Sequence, residues 1–278
     1  MFLFEVFDKK RGTEPMSNRY PEIDEVIAYI HNNIYDPLPL ARLAEYAAYS
    51  PYHFSRIFKE RMGLSPQYFI AALRLQKAKD LLLNTNLSIR DVGLEIGQQS
   101  LGTFTTRFTE RVGVTPSQFR NSAQHTGSLL QSLQRLEDWR DVKPLHPYNC
   151  VEGIIEADQA FEGVILIGLF ARPLPEGLPL YGTLLPGLGK FRIAGIKPGV
   201  YYLMATSVSW GTQSKDLLLP QATLRTRAHA PIVVKPHTSV PYQEVMLYPP
   251  KADDPPILIS LPVLMNQFMN RNNQASQM

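Results

Sequence analysis

Tyr52, Ser55, Arg56 and Lys59 fall on one side of a predicted helix, and Phe54, Ile57 and Phe58 fall on the other. The polar side carries hydroxyls, a guanidinium and an ammonium, groups that recognise other molecules rather than break bonds in them. A guanidinium is a planar fork of donors that matches the paired O6 and N7 acceptors of guanine. Lysine and arginine charge also suits phosphate oxygens, contacts that position a duplex without reading it. Fifty positions later the pattern returns, with Phe104 and Phe108 inward and Gly102, Thr103 and Thr106 outward, followed by Arg107 and Arg111.

Eight residues are identical at an offset of 50: Ser50/Ser100, Phe54/Phe104, Phe58/Phe108, Glu60/Glu110, Arg61/Arg111, Gly63/Gly113, Pro66/Pro116 and Phe69/Phe119. Their chemistry is architectural. Serine caps a helix start, and glycine stops a helix through a left-handed residue. Upstream the offset is 49, so Leu40, Leu43 and Ala44 align with Ile89, Val92 and Gly93. Each copy therefore pairs a short helix with a second one across a tight turn, the helix-turn-helix arrangement, over about residues 40–61 and 88–111. Outward side chains near the start of the second helix are those that reach base edges in a major groove. The copies agree where helices cap, pack and stop, and differ where they face outward, which predicts two unequal half-sites.

Further helices must position these units. Ile23, Val26, Ile27 and Ile30 predict a first helix near 21–33, and Pro66 to Leu83 predicts a long fourth. At about 1.5 Å per residue the fourth is about 27 Å long. One turn of DNA is about 34 Å, so such a helix with its end turns suits two recognition helices one turn apart. Leu129, Leu130, Leu133, Leu136 and Trp139 predict an amphipathic helix in a connector over 123–148, serving its own domain, a link or a dimer contact.

Charge follows the repeat. Residues 50–122 hold ten basic and five acidic side chains, against five and eight before them and 13 and 12 after them. Such a basic region is the footprint of phosphate binding. The lone Cys150 excludes an internal disulfide and a cysteine zinc site, and the six histidines are dispersed, so no metal and no cofactor is expected. Gly187-Leu188-Gly189-Lys190 lacks the earlier glycine and the Ser/Thr of a phosphate loop and reads as a hairpin turn. No apolar run is long enough for a membrane span, acids interrupt the start too early for a secretory signal, and a cytoplasmic location is expected. Residues 1–19 read as a flexible leader.

Residues from about 20 to 122 resemble the DNA-binding domain of the AraC/XylS family. The likeness rests on the Leu40-to-Phe58 unit, Gly63-Leu64-Ser65-Pro66, Ile89-Arg90-Asp91-Val92, Phe104 to Phe108 and Gly113-Val114-Thr115-Pro116-Ser117-Gln118-Phe119-Arg120. It implies an all-α domain of seven helices. It implies base readers at Tyr52, Ser55 and Arg56 in the first copy and at Gly102, Thr103 and Thr106 in the second. Lys59, Arg61, Arg107 and Arg111 become phosphate contacts or structural ion pairs. Two departures weaken the second reader: Gln98 replaces the usual aromatic, and Thr106 replaces a common arginine.

Sixteen of the 23 prolines lie in 123–278, where the periodicity changes to that of strands. Strands are predicted at 151–156, 164–170, 191–193, 200–208, 232–234 and 244–248, forming an antiparallel β-sandwich over 149–265 with a flexible tail over 266–278. Gly189 to Ala205 predicts a hairpin-like unit around Lys197-Pro198-Gly199 and resembles the transthyretin-like or carboxypeptidase-regulatory sandwich, which implies a binding or scaffolding module. The expectation is a multidomain chain, α then β, that regulates transcription and is not an enzyme. Its expected partners are double-stranded DNA, RNA polymerase, a small-molecule effector and a second copy in a homodimer. The alternatives are a DNA-targeted repair protein, which would need a reactive Cys150, and an architectural DNA binder.

Overall fold

A computed structural model describes residues 20–124, 126–136, 139, 149–227 and 230–275. The predicted leader and most of residues 137–148 lie outside them. The chain divides into two compact units, one ending at Leu73 and the other beginning at Arg74.

The first unit holds α1 (Glu22–Asn32), α2 (Leu40–Tyr46), α3 (Pro51–Met62) and the start of α4 (Pro66–Asn84). Its core gathers Ile23, Val26, Ile27 and Ile30 of α1 with Leu43, Phe54, Ile57, Phe58 and Phe69. These are the apolar positions at helical spacing. Phe58 lies 5.7 Å from Phe54 and 5.9 Å from Phe69, ring centre to ring centre. The Tyr49 hydroxyl donates to Glu22 and ties the turn before α3 back to α1.

The tight turn of each copy needs one left-handed residue. Ala48 supplies it in the first copy at φ 56°, and Gly97, its partner at offset 49, in the second at φ 80°. The turn then closes identically, Tyr49 N–H to Ala44 O and Gln98 N–H to Gly93 O, both at 2.8 Å. A left-handed alanine costs about 1–2 kcal/mol, more than the chain entropy a glycine adds. Ala48→Gly is therefore expected to stabilise the first unit by about 0.5–1 kcal/mol, read as a higher urea midpoint with an unchanged slope.

The second unit contains α5 (Ile89–Glu95), α6 (Leu101–Val112), α7 (Pro116–Asn121), α8 (Thr126–Gln134), β1 (Val151–Ala157), β2 (Gly163–Phe170), β3 (Tyr181–Leu185), β4 (Gly189–Ile193), β5 (Gly199–Ser209), α9 (Ser214–Leu218), β6 (Ile232–Val234), β7 (Gln243–Leu247) and α10 (Leu261–Ala275). The second repeat copy buries Phe104, Phe108 and Phe119, stacked edge to face at 5.7 and 5.6 Å. A capping box between Thr115 and Gln118 starts α7.

The strands form two sheets, β4-β1-β7 and β3-β2-β5-β6. Side chains from both meet in one buried cluster that includes Ile155, Phe191 and Leu247 from the first and Ile167, Leu203 and Val234 from the second. Four expectations are corrected here. The first sheet is mixed, because β7 runs parallel to β1. The predicted hairpin of residues 189–205 is a crossover: β4 pairs with β1, and β5 pairs with β2 and β6. Ile196, only 1% exposed in the shared core, holds the connection between the sheets. The 187–189 glycine turn also passes between sheets, since β3 pairs with β2. The tail predicted to be flexible after Asn266 is helical to Ala275, because Leu261, Met265 and Phe268 place an apolar stripe on the protein.

β2 is buried on both faces along its whole length. One face looks into the shared core. The other is covered by residues 257–261, α10 and α8, where Leu130 and Leu133 join Leu166, Ile259 and Phe268. The connector helix thus packs on its own unit, and the Trp139 ring lies 5.6 Å from that of Phe268.

Candidate nucleic-acid interface

α3 begins on Ser50, whose hydroxyl accepts from His53 N–H at 3.4 Å, and ends at left-handed Gly63. Its inward face is Phe54, Ile57, Phe58 and Met62. The outward face is that read from the sequence. Tyr52 is 83% exposed, Arg56 and Lys59 are exposed, and Ser55 is half-buried beside them. Spacings of three and four bring these side chains into one row. Arg56 sits 3.5 Å from His53 Nδ1 and 3.8 Å from Glu60. Over half of its side chain is exposed, so this surface ion pair contributes little and exchanges readily for another anion.

α6 is built the same way, with Ser100 accepting from Thr103 N–H at 3.4 Å and Gly113 ending it at φ 87°. Gly102, Thr103, Thr106 and Arg107 are exposed. Arg107 donates to Gln98 Oε1 at 3.2 Å, so the residue replacing the usual aromatic holds the neighbouring arginine. The second face has short side chains where the first has Tyr52 and Arg56.

Arg61 and Arg111 leave the outward set. Arg61 is 7% exposed and pairs with Asp24 of α1 at 3.0 Å. Arg111, at the same repeat position, pairs with Glu176, between β2 and β3, at 3.5 Å. A guanidinium buried against a carboxylate serves as a fixed strut. Repetition of this arginine in both copies is the sequence signal for that role. The second strut is backed by the main chain. The last carbonyls of a helix have no partner within it, and in α6 Arg111 O accepts from Gly177 N–H at 2.7 Å and Val112 O from Ser260 N–H at 2.9 Å.

Lys79 of α4 was not among the candidates, yet it is fully buried. Its Nζ donates to Ile257 O at 3.0 Å and lies 5.5 Å from the centre of the Phe119 ring. Loss of water around the ammonium pulls its pKa from 10.5 to about 7. Its place between Leu75 and Leu82, four before and three after, was a legible sign that it lies on the inward face.

Among the described residues no cluster of three His, Cys, Asp or Glu is placed to hold a metal, and no helix is long and apolar enough to cross a membrane. Cys150 is half-buried just before β1 and forms no disulfide.

Residues 43–122 match the family described as a helix-turn-helix domain. The chain is 41% identical over 96 residues to the HTH-type transcriptional regulator YobQ of Bacillus subtilis, a match covering 34% of this chain and 40% of that protein. It is 32% identical over 114 residues to the bifunctional transcriptional activator/DNA repair enzyme AdaA of the same species, covering 40% and 54%. An AraC-type DNA-binding structure from Chromobacterium violaceum is 30% identical, with a TM-score of 0.36, over 37% of this chain and 91% of that one. The chain thus spans about half or less of the length of these two relatives. It carries an AraC/XylS-type helix-turn-helix DNA-binding domain, followed by a β-rich region of two sheets.

Proposed function

We propose that this protein is a sequence-specific, DNA-binding transcription regulator that uses both recognition helices. The exposed Tyr52–Ser55–Arg56–Lys59 row, on a helix capped and packed as a helix-turn-helix requires, carries the reading. Arg56 reads a guanine, Tyr52 and Ser55 contact neighbouring bases, and Lys59 and Arg107 hold phosphates. Gly102, Thr103 and Thr106 approach the second half-site closely but read it less, having little side chain. The two sheets, with their shared core, act as a sandwich that binds a signal or a partner, in keeping with the transthyretin-like character of residues 189–205. On this reading RNA polymerase is the downstream partner, the chain works in the cytoplasm, a second copy joins at operators with paired sites, and no reaction is catalysed.

Selection of bound sequences from a random duplex library tests this. The expected product is an asymmetric site with one strongly and one weakly specified half, separated by about one turn of DNA. Recovery of unenriched sequence at saturating protein would favour an architectural binder instead. The likeness to AdaA makes Cys150→Ser the second comparison: the selected site is expected to be unchanged, whereas loss of a DNA-repair activity in that variant would overturn the non-enzymatic reading.

A further inference from the structure

The outward face of the β3-β2-β5 sheet carries a half-open cavity of about 120 Å³ beside residues 254–261 and α10. Its walls are mainly apolar, with Leu166, Leu184, Met204, Ile257, Ile259 and Leu264 prominent. On its floor Gly168 of β2 faces Gly182 of β3 in register, and the Pro179 ring packs over the two glycines. Pro179 approaches so closely that a Cβ on Gly168 would meet it at 2.7 Å. An apolar void of about 150 Å³ accepts benzene, so this one suits a single small ring or a short branched chain.

Gln267 and Arg271 are exposed at the cavity, Arg271 donating to Gly182 O at 3.2 Å, while the buried polar groups around it are already engaged. Arg225 donates to Pro220 O at 2.6 Å, Arg227 to Asp253 at 3.1 Å, and Asp254 accepts from the Tyr248 hydroxyl at 3.0 Å. Thr206 donates to Leu224 O at 3.0 Å. Beyond the exposed Arg271, a charged ligand would meet only apolar walls and polar groups already bonded, whereas a neutral apolar one would lose nothing.

The same strap touches the helix-turn-helix. Ile257 and Ile259 line the cavity, the tip of the Ile259 side chain also lies beside Gly113 at the end of α6, and the main chain of 257–260 makes the other contacts: Lys79 Nζ to Ile257 O at 3.0 Å, Leu258 and Ile259 N–H to Pro175 O at 2.9 and 3.1 Å, and Ser260 N–H to Val112 O at 2.9 Å. Pro175 also lines the cavity, two residues before the Gly177 that caps Arg111. One thickness of chain therefore separates the cavity from the end of α6.

We propose that this cavity binds a small, neutral, apolar effector, and that its occupancy steadies the 257–260 strap and so the end of the second recognition helix. The proposal rests on the regulator reading and names the ligand class and the route. Differential affinity for the steadied state is what couples the two sites, and the coupling is reciprocal.

The test titrates the full chain with benzene and, as the charged counterpart, benzenesulfonate. Benzene is expected to raise the melting temperature and slow amide exchange at Leu258, Ile259 and Ser260; benzenesulfonate is expected to do neither. Leu264→Phe and Leu184→Phe, which fill the cavity from α10 and from β3, are expected to abolish the response, and whichever variant keeps a cooperative melt serves. Benzene is also expected to raise affinity for the selected duplex by about five-fold or more. No benzene response in the native chain overturns the site. Stabilisation without slower strap exchange overturns the route. Ligand binding and strap protection in a protein that selects no DNA sequence would uphold the site and overturn the regulator reading.

Discussion

Arg56→Ala is expected to cost roughly 1–3 kcal/mol of affinity for the selected operator, about 5- to 150-fold, and to relax preference at the base pair that Arg56 reads. The guanidinium is exposed and held only by a surface carboxylate and a histidine ring, so its removal leaves no buried group without a partner. The fold is expected to be unaffected, within about 0.5 kcal/mol. Binding to unrelated duplex should change little, since nonspecific affinity comes from total phosphate contact. Titration of both duplexes at one salt concentration separates the outcomes. An equal loss on both would make Arg56 a phosphate contact, and an unchanged specific affinity would remove it from the interface.

The second large effect is one of pH, and Lys79 is its source. In the unfolded chain this ammonium keeps its proton to near 10.5; in the folded protein burial brings the pKa to about 7. Between these values the unfolded state binds more protons, so stability rises with pH. The slope approaches about 1.4 kcal/mol per pH unit for one proton, or about 2 kcal/mol in total from pH 7 to pH 9. Below about pH 6 both states hold the proton and this contribution to the slope ends. Lys79→Met removes the titrating group. Urea unfolding at intervals from pH 6 to 9 is expected to show a rising stability in the native chain and a flatter profile in the variant. Parallel profiles would mean that Lys79 stays charged where it is, held by Ile257 O and the Phe119 ring.

What could be read from the sequence divides along a physical line. Helix starts, stops and inward faces are local, set by Ser50, Gly63, Phe54 and their partners in the second copy, and they appear where the spacing placed them. The strand segments were also local. Their pairing was not: Ile193 and Val200 looked like two sides of a hairpin, yet Ile196 is needed in the core between the sheets, and the chain crosses over. The parallel partnership of β1 with β7 joins residues about ninety positions apart and left no mark on either strand. β3 was missed because Tyr181-Gly182-Thr183 lacks the apolar run that revealed β2. The site followed the same rule. Exposed Tyr52 and Arg56 were legible because helical spacing alone puts them outside, whereas Arg61 and Arg111 needed Asp24 and Glu176, which only the fold brings to them.

The caps on α6 set an order of assembly during synthesis. Arg111 O and Val112 O wait for Gly177 and Ser260, which leave the ribosome long after the helix itself. At about 5–20 residues per second, the roughly 150 residues to Ser260 take about 7–30 s. Over that interval the first recognition helix already has Asp24 behind it for its own strut, while the second lacks its last partners. A nascent chain thus completes its two helix-turn-helix copies one after the other, and the second copy is the one closed last.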